Sequence, residues 1–305
     1  MTGRLSERAV IDRPYSRKSA AAALFLLPAF VFLSVFIVWP VLLSIQLSFY
    51  DWNGIAPVRT FAGLANWRAL AADSVFWKAL GNNLIVVVLS IGIQLPVAMA
   101  LAVLLHRGGN KLKIFKVVYF FPMLMSTVAV GALFKAVYDV QFGAVTPLLR
   151  ALGLAGFARD WLGDARVALF SVIAVICWQF IPFYMILFLA RLTGIPNELR
   201  EAAAMDGATG GQYFWRVELP LMRGIIITAM TLSLIGSLKY FDLIWVMTEG
   251  GPSRATELMA TYMYKEAFSS FRMGYGSTIA TAMFVIVMTA ALAAIAIRQR
   301  RSEEA

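Results

Sequence analysis

Charge is scarce in this chain, and acidic charge is scarcer still. Only 14% of the 305 residues are charged, and 17 acidic against 27 basic side chains leave a formal net charge of +10. There is one cysteine, Cys177, and one histidine, His106. A single thiol inside an apolar run excludes an intramolecular disulfide and a thiolate metal cluster. A Ser/His/Asp triad would have to be built on His106 alone. No Gly-Lys dipeptide occurs, so the chain has no Gly-x-x-x-x-Gly-Lys-Ser/Thr phosphate loop. Metal-ligand spacing and a nucleophile elbow are missing too, and these absences argue against an enzyme. The basic excess does not suggest nucleic acid, because it lies in connections flanking apolar runs rather than in a stripe with interleaved aromatics. Internal repeats, low-complexity segments and a separable soluble domain are also lacking.

What the chain has is apolar sequence. With 60% hydrophobic residues and a mean hydropathy of +0.75, it reads as a polytopic, all-α membrane protein. Six runs, at about 22–48, 80–105, 117–138, 168–190, 225–247 and 277–297, each have roughly the 20 residues needed to cross a bilayer. The first is too long for a signal-peptide core and is expected to stay as a span, kinked by Trp39-Pro40. Residues 1–21 read as a tail, and 22–305 as one transmembrane domain. Six spans place both termini on one side. That side carries sixteen Lys and Arg, in the tail, in 107–116, in 191–223 and after Ile297, against nine on the other. The basic side is expected to be cytoplasmic. The opposite connections carry Trp52, Trp67, Trp77 and Trp161, whose rings suit anchoring at the membrane interface or contact with an extracytoplasmic protein.

Between the fourth and fifth runs lies the most polar and Gly-punctuated part of the chain. Pro196 and Asn197 are placed to open a short helix through Ala202, Ala203 and Ala204, which Gly207 ends in a left-handed cap. Thr209 and Gln212 have capping-box spacing for a second short helix, closed by Leu219-Pro220. The order Glu201-Ala202-Ala203, then Gly207, Val217 and Leu219-Pro220 resembles the signature loop of the permease subunits of binding-protein-dependent ABC importers. It departs in Val217, where isoleucine is usual. Segments Ser48–Trp52, Phe61–Trp67, Phe120-Phe121-Pro122 and Thr248–Pro252 are similar to the carbohydrate-uptake branch of that family, of maltose and glycerol-phosphate type.

The resemblance implies a type I ABC importer permease fold with a core at about 77–298, in the bacterial cytoplasmic membrane. It implies that the loop 194–220 is a cytosolic coupling element, with Glu201, Ala202, Ala203, Asp206, Gly207, Leu219 and Pro220 contacting an ATPase. ATP and Mg would then sit on two partner ATPase subunits and no cofactor on this chain. A homologous second permease and an extracytoplasmic solute-binding protein complete the implied assembly.

Three charges fall within the runs. Lys135 is near a span end and is expected to snorkel. Lys239 lies deeper, and Asp242, three residues on, would share its helical face and pair with it. Ser233, Ser237 and Tyr240 form a stripe beside them, and Gln179, Phe183 and Tyr184 surround Pro182 in the fourth run. Aromatic rings with a few hydrogen-bonding groups suit a carbohydrate, whose C–H faces stack while its hydroxyls need partners. These eight residues are the expected substrate passage. Lys239 keeps open an anionic solute such as glycerol phosphate, or an amino acid or peptide. An ion-coupled secondary transporter would need inverted repeats and would leave the Glu201 loop unexplained.

Overall fold

The computed structural model describes residues 15–303. The expected tail therefore lies outside the described residues as far as residue 14, and the chain is helical from Tyr15 onward. Among the described residues, four helices are long and apolar enough to cross a membrane: Leu24–Leu47, Ser74–Gly108, Ala168–Thr193 and Met273–Ala296. They correspond to the first, second, fourth and sixth expected spans.

The third span is not the single run expected over 117–138. It is two helices, Ile114–Leu124 and Thr127–Val137, bent by 97°. The first helix runs through Pro122 to Leu124, and the chain passes through extended Met125 and Ser126 before helix resumes. The fifth span is entered through a 66° bend between Gly210–Leu221 and Arg223–Leu238. It is then broken at 239–241, and Asp242–Thr248 restarts the helix. A continuous run over 225–247 is thus also corrected.

Of the four π turns among the described residues, three, Ser34–Val38, Ser90–Gln94 and Phe214–Glu218, end two residues before a proline, at Pro40, Pro96 and Pro220. A proline ring displaces the carbonyl four residues back, and the wider turn accommodates it. The kink expected at Trp39-Pro40 takes this form. Pro182, by contrast, sits inside an unbroken fourth helix.

The main core packs Leu95–Gly108 against Ala168–Thr193 through Met99, Ala102, Val172, Ile176 and Met185, with Leu243 and Ile244 of the fifth span. A second core joins the opening of the second span, at Phe76 and Ala79, to Leu238, Met259, Tyr262 and Ile279. Gly131 brings the third span onto the fifth, because a Cβ there would stand 2.8 Å from Val246. The first span buries almost none of its own surface and leans on the sixth.

On the side away from the Glu201 loop, the connections are well tied. Tyr50–Asp51 pairs antiparallel with Thr60–Phe61. Trp52, Trp67 and Trp77 donate their indole N–H groups to Ala56 O, Ser48 Oγ and Ala71 O. Buried Glu257 is held by Lys265 at 2.7 Å and by Thr261 at 2.6 Å. Asp73 caps the second span and also accepts from Tyr262 and Tyr275, each at 2.5 Å. Burial opposes its charge, but these hydroxyls and the Val75 and Phe76 N–H groups outweigh it and hold the carboxyl below the ordinary aspartate range. Asp73→Ala should lower stability by about 2 kcal/mol at pH 7. A depressed folded-state value contributes above about pH 4 and is lost as pH falls through that value. The gap between wild-type and Asp73→Ala melting temperatures should therefore shrink as the pH is lowered below about 4.

Candidate functional site

The break in the fifth span opens onto a cavity of about 500 Å³. Of the residues expected to form a passage, Phe183, Tyr184, Ser233, Ser237, Lys239, Tyr240 and Asp242 all line it. Gln179 does not; it is 2% exposed, with an unpartnered Oε1 inside the helix packing. The sequence did not point to Gln94, Thr127, Phe180 or Phe241, which complete the wall from the second, third, fourth and fifth spans. Gln94 is turned into it by the π turn ahead of Pro96, and Phe180 meets Tyr240 edge-on at 6.1 Å.

Lys239 and Asp242 do not pair, contrary to expectation. A shared face requires a continuous helix, whereas Lys239 is the C-cap of one helix and Asp242 opens the next. Both side chains are exposed. The break places a cation at a helix C-terminus and an anion at a helix N-terminus, each favoured by the local dipole by roughly 0.3–1 kcal/mol. The cavity thus presents one ammonium, one carboxylate, several aromatic rings and two hydroxyls, on Ser233 and Tyr240, that are buried without partners. Lys135 sits exposed in the last turn of Thr127–Val137, away from this cavity wall.

The break has a cause far away in sequence. The carbonyls of Ser237 and Leu238, which a continuing helix would satisfy through Phe241 and Asp242, accept instead from Asn83 Nδ2 at 2.9 and 3.1 Å. Asn83 is fully buried, and its Oδ1 accepts from Met259 N–H at 2.9 Å. Its neighbour Asn82 donates to Ala255 O and Glu257 O.

The Glu201 loop forms as its local signals dictate. Helix Asn197–Met205 starts after Pro196, and Gly207 follows at φ +75°. Thr209 and Gln212 make a reciprocal capping box. The second helix runs on through Pro220 to Leu221. Glu201, Ala202, Asp206, Gly207 and Pro220 are exposed, and Ala203 and Leu219 are half-buried. Three polar residues outside the expected set moor the loop. Arg107, at the end of the second span, donates to Gly210 O at 3.1 Å and to Glu218 at 3.4 Å. Arg191, at the end of the fourth, reaches Leu221 O at 3.0 Å.

Comparison with known proteins matches residues 92–302 to the family described as binding-protein-dependent transport system inner membrane component. Among relatives, a probable ABC transporter permease of Bacillus subtilis, YurN, is 36% identical over 274 residues, covering 88% of this chain and 92% of its own. The lactose transport system permease LacF of Rhizobium radiobacter is 34% identical over 272 residues, covering 88% and 90%. The fold is shared with a chain of a bacterial ABC transporter involved in the import of the acidic polysaccharide alginate, at a TM-score of 0.80 and 23% identity over 93% of this chain and 96% of that one. With the family match spanning well over half of the sequence, this chain belongs to the binding-protein-dependent transport system inner membrane components, as a non-catalytic multi-pass permease of the inner membrane.

Proposed function

We propose that this chain is one of two homologous permease subunits of an ATP-driven importer that carries a carbohydrate or related polyol across the cytoplasmic membrane. The observation that carries the reading is the state of helix Asn197–Met205, which buries none of its residues. Nine residues are too few for a helix stable in water by itself. This one is fixed by the hydrogen-bonded turn at Gly207 and by the moorings of the following helix, while its sides stay open. That is the form of a docking element, with Glu201 and Asp206 as charged contacts and Leu199 and Met205, 40% and 89% exposed, as apolar ones.

Separate ATPase subunits would bind that helix and hold the ATP and Mg, leaving this chain without a cofactor. Closure of the ATPases would move the loop 194–220 as a rigid body. Arg107 and Arg191 would carry the movement to the ends of the second and fourth spans. The basic asymmetry of the connections supports a cytosolic side for the loop and both termini. An extracytoplasmic binding protein would deliver solute to the opposite face. Relatives include lactose and multiple-sugar transport system permeases, which supports the carbohydrate class. So does the cavity, where Lys239 offers a donor, Asp242 an acceptor and Phe183 and Tyr184 aromatic walls to a solute. One cation balanced by one anion favours a neutral polyhydroxyl solute over glycerol phosphate.

In proteoliposomes containing the whole assembly and its binding protein, uptake should require ATP. Lys239→Met should lower uptake about tenfold or more, the value of a lost hydrogen bond from a charged donor, at unchanged membrane abundance. Adding Asp242→Leu should not restore it, because the two charges are not each other's partners. Recovery of transport in the double variant would remove both from the passage.

A further inference from the structure

We infer that the cavity continues outward into a second carbohydrate subsite, a run of aromatic rings that stacks the trailing pyranose units of a neutral oligosaccharide. The inference rests on the carbohydrate reading above. Four rings follow one another in space although they come from two elements. Phe241 belongs to the cavity wall. Its ring stacks on Trp245, with centroids 5.4 Å apart and planes 15° from parallel. Trp245 meets Tyr264 at 4.7 Å, and Tyr264 lies 5.1 Å from Phe268. Tyr264 also reaches back to Phe241 at 5.6 Å, so the run is braced rather than a single file.

Exposure rises along the run. Phe241 and Trp245 are half-buried, Tyr264 is 37% exposed and Phe268 is 53% exposed. The segment that carries the outer two rings has a well-packed opposite side. Met259, Ala260, Thr261 and Tyr262 are buried, while Tyr264 and Phe268 are turned away from them. The outward side is therefore aromatic although the same segment fills a core with its other side.

Chemistry grades along the same line. At the inner end, the hydroxyls of Ser233, 3% exposed, and of Tyr240 have no partner within the protein, and Lys239 and Asp242 stand open beside them. A sugar unit there would exchange its hydration for hydrogen bonds. At the outer end there are rings, and a ring takes only the apolar C–H face of a pyranose, leaving its hydroxyls to water. The cations bordering the run are already neutralised, Lys265 by Glu257 at 2.7 Å and Arg272 by Glu266 at 2.9 Å. Nothing along it calls for a uronate or phosphate. The gradient fits a chain whose leading unit is hydrogen-bonded in the cavity and whose following units slide over a stacking surface.

The test uses the complete assembly in proteoliposomes, with glucose-, galactose- and xylose-based series from monosaccharide to tetrasaccharide, each assayed for uptake below saturation. In whichever series the wild type carries, Tyr264→Ala and Phe268→Ala should reduce uptake of the trisaccharide roughly three- to tenfold, the value of one aromatic contact, with a loss that grows with chain length. Tyr264→Trp, which keeps a stacking face, should recover the long solutes. Membrane abundance, measured in parallel, should stay at the wild-type level. A loss equal at every length overturns the subsite, as does carriage of monosaccharides alone, or a fall in abundance that accounts for the uptake and marks the rings as a lipid anchor. Failure of the wild type to carry any carbohydrate in these series would instead overturn the substrate class proposed above.

Discussion

Asn83→Ala should destabilise the subunit by about 3–9 kcal/mol, the sum of leaving three buried backbone groups unpaired at roughly 1–3 kcal/mol each. The three are the Ser237 and Leu238 carbonyls and the Met259 N–H. Asn83 is 0% exposed, so the groups it serves lie out of contact with solvent. A loss of that size is a large part of the 5–15 kcal/mol by which a folded domain is usually stable. Membrane abundance and melting temperature in detergent should both fall sharply. Asn83→Asp should be no better, since it turns an acceptor toward two carbonyls and buries a charge. Asn82→Ala should cost less: Asn82 is 8% exposed, and the carbonyls it serves lie in a connection rather than at a helix end. Wild-type melting of Asn83→Ala would mean that the fifth-span break is held by something other than this amide.

The same residue explains what could not be read from the sequence. Residues 239–241, Lys-Tyr-Phe, contain no helix breaker, and local propensity continues the fifth run to Met247. The break is set by a side chain more than 150 positions upstream, so the pairing of Lys239 with Asp242 looked natural and is wrong. Ser233 and Ser237 were legible because they lie on the unbroken part of that helix, where spacing by four still defines a face. Gln94 was recoverable in principle. Pro96 stands at the position that converts the preceding turn to π geometry, and that conversion decides which residue faces the cavity. The moorings of Arg107 to Glu218 and of Arg191 to Leu221 join positions 111 and 30 apart, and no local pattern announces them. The Glu201 loop was the most legible part because its determinants are local: a proline start, a glycine stop and a capping box, each acting within four residues of itself.

Because the loop is built from local signals, the coupling role proposed for it is open to a clean test at Gly207. Its φ of +75° suits glycine, and a Cβ there would meet no atom within 4 Å. A substitution therefore disturbs only the backbone turn that sets the angle between the docking helix and the capped helix behind it. Gly207→Val, β-branched and poorly suited to positive φ, should cost about 1–2 kcal/mol locally. Since the turn lies on the surface, the transmembrane core should be untouched. The expected result is normal membrane insertion and melting, with ATPase subunits retained weakly or lost on purification and uptake reduced about tenfold or more, as 1–2 kcal/mol of misorientation permits. Gly207→Asn, which tolerates the left-handed region, should lose much less. Arg107→Ala tests the other end of the lever. It removes both the Gly210 and Glu218 contacts and strands a carboxylate that is 4% exposed, so motion of the docked loop no longer reaches the second span. ATP hydrolysis should then continue with little uptake. Full uptake by Gly207→Val together with tight coupling in Arg107→Ala would leave the loop without a mechanical role, and Asn197–Met205 would have to be an attachment point only.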